Sequence, residues 1–559
     1  MRTDWGQAEG CTMNEHPRPQ LKRERFMSLC GEWDFAITET ETPPQLFDGA
    51  VSVPFSPECA LSGAGALPAP GQYIWYRKKV SLPLGFCRGR LLLHFDGVIG
   101  FCDVWVDESA AISHAGGFAP FSADITELAG AEGFAVVVRC LVPGGDTPLV
   151  RGDMDLYGAQ CGIWQSVWLE SVPENYIRAL RLIPHLAERR LEIWVSGSGE
   201  VRASIPGQEF FFPAGRPALL DIADVRAWTP EEPYLYPLRL TLGDDEVESY
   251  FAMRSISVGY DERGERRIML NGEPYFINGV IDSGRWPGSG MTPPSDEAAL
   301  ADLQTAKDMG FNAVRKTGKT EPDRWYYHCD RLGLLVWQDI PAGGGKMSKS
   351  VSRPGKKPAE DFDYAAFGRS DEASRLFWRR EAGEIVYFLG NHPCIVEWTA
   401  FDEGRGQFDA YEQAVFLRRL DGLRLCDPAS GWHDTRRGEL RSIHDVSAKP
   451  LVSRDEYNRA LALTSFGALS HRVEGHCPEK KTREKRRFGS PNSLAFALRE
   501  LYSAYIAPAK KTVLSAAFYS RLTDTETQLD GLVTFDRRVK KLAVQTVRDI
   551  VSPRPKKKR

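Results

Sequence analysis

No run in this chain is long and apolar enough to cross a bilayer, and the opening stretch, MRTDWGQAEGCTMNEHPRPQ, is polar where a secretory signal needs an apolar core. A cytoplasmic protein without a membrane partner is the expectation. The 11 cysteines are scattered singly and never form a C-x-x-C pair, which argues against a disulfide framework and a zinc ribbon. There is no N-x-S/T sequon. Charge of one sign is also lacking: 71 basic residues face 75 acidic ones, so nothing suggests a nucleic-acid partner.

Three local patterns fall short of the motifs they approach. GGGK (343–346) lacks the spacing of a phosphate loop and reads as a turn, so no cofactor is indicated. HRVEGHC (471–477) lacks the histidine spacing of H-E-x-x-H, so no metal is expected. EKKTREKRR (479–487) and the terminal PKKKR read as solvated charge.

What the sequence does have is the length and composition of a soluble multidomain protein, 559 residues with 42% hydrophobic and 26% charged content. From about residue 26 to 172, short alternating runs such as RLLLHF (90–95), CDVWVD (102–107), FAVVVRCLV (134–142) and SVWLESV (166–172) predict a β-sandwich. IRALRLI (177–183), RLEIWVS (190–196), YPLRLTL (236–242) and VESYFAMRSISV (247–258) predict a second, immunoglobulin-like sandwich.

After Leu270 strand runs alternate with amphipathic helices, the grammar of a parallel sheet with crossovers. YFINGV (275–280) leads to a helix N-capped by Ser295 and stopped before Gly310. NAVRK (312–316) precedes a helix from Glu321 to Leu332 that stops at Gly333. LLVWQD (334–339), IVEWTAF (395–401), SGWHD (430–434), SIHD (442–445), LALTSF (461–466) and SAAFYSR (515–521) bring the candidate strands to the eight of a closed barrel. The segment 345–372 reads as a long loop over the barrel mouth.

In such a barrel the chemistry sits at the C-terminal strand ends. NHPCIVEWTAFDEGRGQFD (391–409) ends an apolar strand in Asp402 and Glu403 within a glycine-flanked turn, and glycoside cleavage needs carboxylates in such places. Glu403 is the acid/base candidate and Asp402 a second carboxylate. Asp282, Arg285, Trp286, Arg315, Lys316, Arg405, Trp432, His444, Asp445 and Arg521, at or beside strand ends, are candidate substrate-binding residues.

Over most of its length the chain resembles glycoside hydrolase family 2, the β-galactosidases, β-glucuronidases and β-mannosidases. LCGEWDF, YIWYRKKV, GGFAPFSADIT and GIWQSVWLE are similar to the family's sugar-binding-type N-terminal domain; LNGEPYFINGV, GFNAVRK, DRLGLLVWQD and NHPCIVEW are similar to its barrel. The resemblance implies a jelly-roll β-sandwich over 1–173, an immunoglobulin-like β-sandwich over 174–262 and a C-terminal (β/α)8 TIM barrel over 263–559. It also implies a β-glycoside ligand and self-association into a homo-oligomer.

Departures from the family pattern gather at strand ends. Asp402-Glu403 stands where relatives read Asn-Glu, and Thr464-Ser465-Phe466-Gly467 where they read Ser-Glu followed by an aromatic and glycine. Ser465 therefore occupies the nucleophile position. Thr317, Arg405 and Arg521 stand where relatives tend to have His, Trp and Gln. A serine hydroxyl is un-ionised, needs its own base, and offers no charge to an oxocarbenium-like transition state, so the usual double displacement is expected to fail. Two readings stay open: an enzyme of altered mechanism, with Asp402, Asp445 or a group on the substrate supplying the second function, and a carbohydrate-binding protein without turnover.

Overall fold

The computed structural model describes residue 3 and residues 15–47, 49–130, 133–144, 160–352, 360–478 and 482–553. The terminal PKKKR and the first part of the 479–487 run lie outside these.

The N-terminal runs pair into a four-stranded and a seven-stranded sheet. Alternation works as expected there: along Phe134–Leu141, Phe134, Val136, Val138 and Cys140 are buried and the residues between them only partly so. A three-stranded sheet and a four-stranded sheet follow between Leu180 and Phe251, enclosing a separate core that includes Leu191, Ile193, Val201, Leu240 and Val247. The run 247–258 is not one strand. It breaks into Asp245–Phe251 and Ile256–Tyr260, because Arg254 between them is buried and donates to the Pro393 and Ile395 carbonyls under the barrel.

Eight parallel strands form the barrel wall: β1 Ile277–Asp282, β2 Ala313–Lys316, β3 Leu335–Asp339, β4 Ile395–Thr399, β5 Leu425–Asp427, β6 Leu440–Asp445, β7 Ala460–Gly467 and β8 Leu514–Ser520. They lie in the order β5-β4-β3-β2-β1-β8-β7-β6. The barrel is nearly closed, with no ladder joining β5 to β6. Side chains bridge that seam, Ser442 on β6 donating to Asp427 on β5 and Ser430 to Thr464 on β7.

The expected fifth strand at 430–434 is displaced. The strand is Leu425–Asp427, and Ser430–Asp434 lie beyond its end, where Gly431 turns the chain at φ 83°. Helix α1, Asp296–Asp308, has Ser295 as its N-cap, accepting from the Ala298 amide, and Gly310 just past it at φ 90°. Helix α2, Asp323–Leu332, starts two residues later than expected. Glu321 is instead turned inward onto Lys316 and Lys319, and Gly333 ends the helix at φ 71°.

Candidate active site

Two consecutive residues on a strand face opposite sides, and β2 uses this to separate two cations. Lys316 faces the helices: it meets Asp282 and Glu321 at 2.6 Å each and sits over the Trp325 ring of α2. Arg315 faces the barrel interior, 1% exposed. Its guanidinium donates to both oxygens of Asp339 at 3.2 and 2.8 Å, to Asp402 Oδ1 at 2.6 Å and to the Thr464 carbonyl at 3.0 Å.

One cation thus serves several buried carboxyls. Burial lifts Asp339 to about 7 in spite of Arg315, and raises Asp402 from the ordinary carboxylate range. Below them, Glu397 accepts from Thr399 at 3.0 Å and from the Asp427 amide, and burial together with Asp427 pushes it well up. Asp427 is itself raised to about 7 by burial.

Glu403 is built differently. It has φ 51°, a left-handed conformation that costs a residue with a Cβ about 1–2 kcal/mol. The turn holds it there: the Glu403 amide donates to the Ser430 carbonyl, and Gly404 and Gly406 continue at φ 72° and 56°. A side chain at Gly406 would collide with the Gly343 carbonyl, where the loops after β3 and β4 meet. Buried Arg369 pins that contact by donating to the Gly406 and Ala342 carbonyls. This places the Arg369 end of the expected mouth loop against the Glu403 turn.

His444 Nδ1 lies 2.7 Å from Glu403 Oε1, and Arg405 lies 3.4 Å from Oε2. Burial would raise the Glu403 carboxyl, but the His444 contact, helped by Arg315 and Lys485, outweighs it and holds the group below its usual value. The His444 backbone is seated against Gly431, where a Cβ would come within 2.5 Å of the His444 Cβ, and its ring meets the edge of Trp432 at 5.8 Å. Ser465 on β7 is the register partner of His444, and the ladder shifts between Ile443 and His444, a bulge of the kind that re-aims side chains beside sites.

Not every candidate joins this cluster. Asp282 and Lys316 pair with each other. Arg285 is held by Glu526 at 2.7 Å and by Gln160, and Arg521 by Ser283, Gln528 and Asp530. Trp286 is 3% exposed beneath the guanidinium of Arg537. Asp445 caps its own loop, accepting from the Ser447 and Leu451 amides. His471 and His476 of HRVEGHC go to separate partners, the Phe488 carbonyl and Asp536. Asp339, Glu397 and Asp427 were not singled out in the sequence, although Asp339 ends its strand run as Glu403 nearly does.

The family described as glycosyl hydrolases family 2, TIM barrel domain, matches residues 263–448, the segment that carries Arg315, Asp339, Asp402, Glu403 and His444. Over this segment the chain is similar to glycoside hydrolase family 2. Among curated relatives, a putative β-glucuronidase of Formosa agariphila is 26% identical over 64% of this chain and 34% of its own length. A β-galactosidase of Thermoanaerobacter pseudethanolicus is 23% identical over 66% of this chain and 50% of its own length. The chain thus spans a third to a half of these curated relatives.

Solved structures share the fold over nearly the full length. A Faecalibacterium prausnitzii β-glucuronidase superposes with TM-score 0.74 at 23% identity, covering 96% of this chain and 99% of that one. An Eisenbergiella tayi β-galacturonidase bound to galacturonate does so with TM-score 0.72 at 18% identity, again over 96% and 99%.

Proposed function

We propose that this protein binds β-glycosides at the C-terminal mouth of the barrel, with Glu403 as the retained acid/base carboxylate and Ser465 in the nucleophile's place. The usual retaining double displacement is then impaired. The observation that carries this reading is the convergence of Glu403, His444, Arg405 and Arg315 with Ser465 at the ends of β2, β4, β6 and β7, where a glycosidic bond is worked in barrels of this kind. Relatives named as β-glucuronidases and β-galactosidases support the substrate class. The finer domain assignment belongs to the same proposal: jelly-roll sandwich to residue 173, immunoglobulin-like sandwich to 262, TIM barrel beyond. So do a cytoplasmic location and a homo-oligomer; no helix among the described residues is long and apolar enough to cross a membrane.

A second reading, binding without turnover, is favoured by one feature. The general acid of a glycosidase works protonated, whereas, against the burial that would raise it, the His444 contact draws the Glu403 carboxyl below its usual range. For an acidic sugar, Arg405, 3.4 Å from Glu403 Oε2, is the cation nearest the acid/base carboxylate.

Turnover of a panel of aryl β-glycosides separates the readings, with Glu403→Gln as control. Turnover abolished by Glu403→Gln establishes an altered glycosidase. No turnover by the natural chain, with activity gained in Ser465→Glu, establishes an intact scaffold that lacks its nucleophile. Failure to bind any β-glycoside overturns both.

A further inference from the structure

The serine at position 465 lacks charge, but it does not lack a base. Phe466, the next residue, packs on Tyr502 in the helical layer at 5.6 Å, while Thr464 before it reaches Ser430 across the mouth; the irregular pairing with β8 between Leu463 and Phe466 lets Ser465 share that inward side. Its register partner His444 faces the same way, reaching Glu403. Neighbouring strands lie about 4.8 Å apart, so the two residues leave adjacent strands at the same level. Beyond the imidazole, Glu403 lies 2.7 Å from Nδ1, which leaves Nε2 as the nitrogen that exchanges protons. The order serine, histidine, carboxylate is that of a nucleophile, its base and the group that orients the base.

We propose that Ser465, His444 and Glu403 form a nucleophilic relay that accepts an ester, with an O-acylated sugar as the substrate class. Ser465 Oγ attacks the acyl carbon while its proton passes to His444 Nε2. The C–O bond to the sugar breaks, and the sugar oxygen leaves with that proton. Water then attacks the acyl-serine by the same route, giving the free acid and restoring Ser465. Only water is consumed. An acyl carbon suits this nucleophile better than an anomeric one, because the tetrahedral intermediate does not require a negative charge on the attacking atom beforehand. A carboxyl group beside Nδ1 is what such a relay needs, and Gly431 and Trp432 hold the imidazole in place. The choice of a sugar ester rests on the glycoside reading above; the nucleophile does not.

The test is covalent. The full chain is incubated with a fluorophosphonate and with p-nitrophenyl acetate, and the modified residue is located by peptide mass. One label per chain on Ser465 is expected, absent in Ser465→Ala and formed at least about a hundredfold more slowly in His444→Gln. Glu403→Gln, which keeps the shape of the carboxylate, is expected to slow it by at least about tenfold. No labelling above that of Ser465→Ala, or labelling undiminished in His444→Gln, overturns the proposal. Labelling of Ser465 with no release of acetate from an O-acetylated β-glycoside overturns the sugar ester while the nucleophile stands, which separates this failure from that of the glycoside reading.

Discussion

Arg315 is the residue on which the barrel interior most depends, and Arg315→Met tests how. Methionine keeps an unbranched apolar stem without the guanidinium or its charge. The substitution leaves Asp339 and Asp402 without their cation and the Thr464 carbonyl without its donor, in a place where Arg315 is 1% and Asp339 0% exposed. Removing one partner of a buried pair costs about 3–5 kcal/mol, because the remaining charge is uncompensated. Denaturation by urea, followed by tryptophan fluorescence, reads that loss as a shift of the midpoint.

The pH dependence makes the prediction specific. Asp339 already stands at about 7 in the folded protein, lifted by burial against the pull of Arg315. A carboxyl raised on folding binds more protons folded than unfolded between its two values, so it lowers stability as pH rises through that window. Without Arg315 the window extends upward. The loss is therefore greatest on the alkaline side and shrinks toward about pH 5, by about 1.4 kcal/mol per proton for each unit. Adding Asp339→Asn to Arg315→Met should recover part of the loss. A loss below about 1 kcal/mol, or one equal at both ends of the range, refutes the picture of one cation compensating several carboxyls.

Asp427, raised to about 7 by burial, acts with the same sign: Asp427→Asn is expected to flatten the decline of stability between about pH 5 and about pH 8, as measured by urea midpoints across pH. Gly431→Ala places a Cβ 2.5 Å from that of His444 at a backbone φ of 83°, and is expected to cost at least about 2 kcal/mol in thermal unfolding and to slow labelling of Ser465. Ser465→Glu is expected to gain aryl glycosidase activity over the natural chain, read by release of the aryl group.

The period of the hydrophobic pattern was enough to read the layers, because alternation and helical repeats are properties of the chain itself. The parity of strand residues was equally legible. In R-K, at the end of β2, one member must face the interior and the other the opposite side. Arg315 and His444 face inward, while Lys316 meets α2 and Asp445 caps its loop. What local sequence could not carry was cover from elsewhere. Trp286 stands beside a strand end as a sugar platform would, yet Arg537, far downstream, lies over its ring. The fifth strand was displaced for a related reason. Its three residues, LCD, are too short to show a period, and the glycine and tryptophan of SGWHD drew the assignment past it.

The choice of a second catalytic group narrows once each carboxyl is followed to its partners. Asp402 stands where the family pattern has an amide, but its Oδ1 is ligated by Arg315 at 2.6 Å, and the same guanidinium ties it to Asp339. A carboxylate held this way is a poor base for water, and its departure would strand the arginine. Asp445 spends both oxygens on backbone amides, one on Ser447 and one on Leu451. His444 is different. It touches the retained carboxylate, shares a ladder position with the substituted serine and keeps one nitrogen uncommitted to that carboxylate. Replacing that imidazole is therefore expected to change the pH profile of Ser465 labelling as well as its rate.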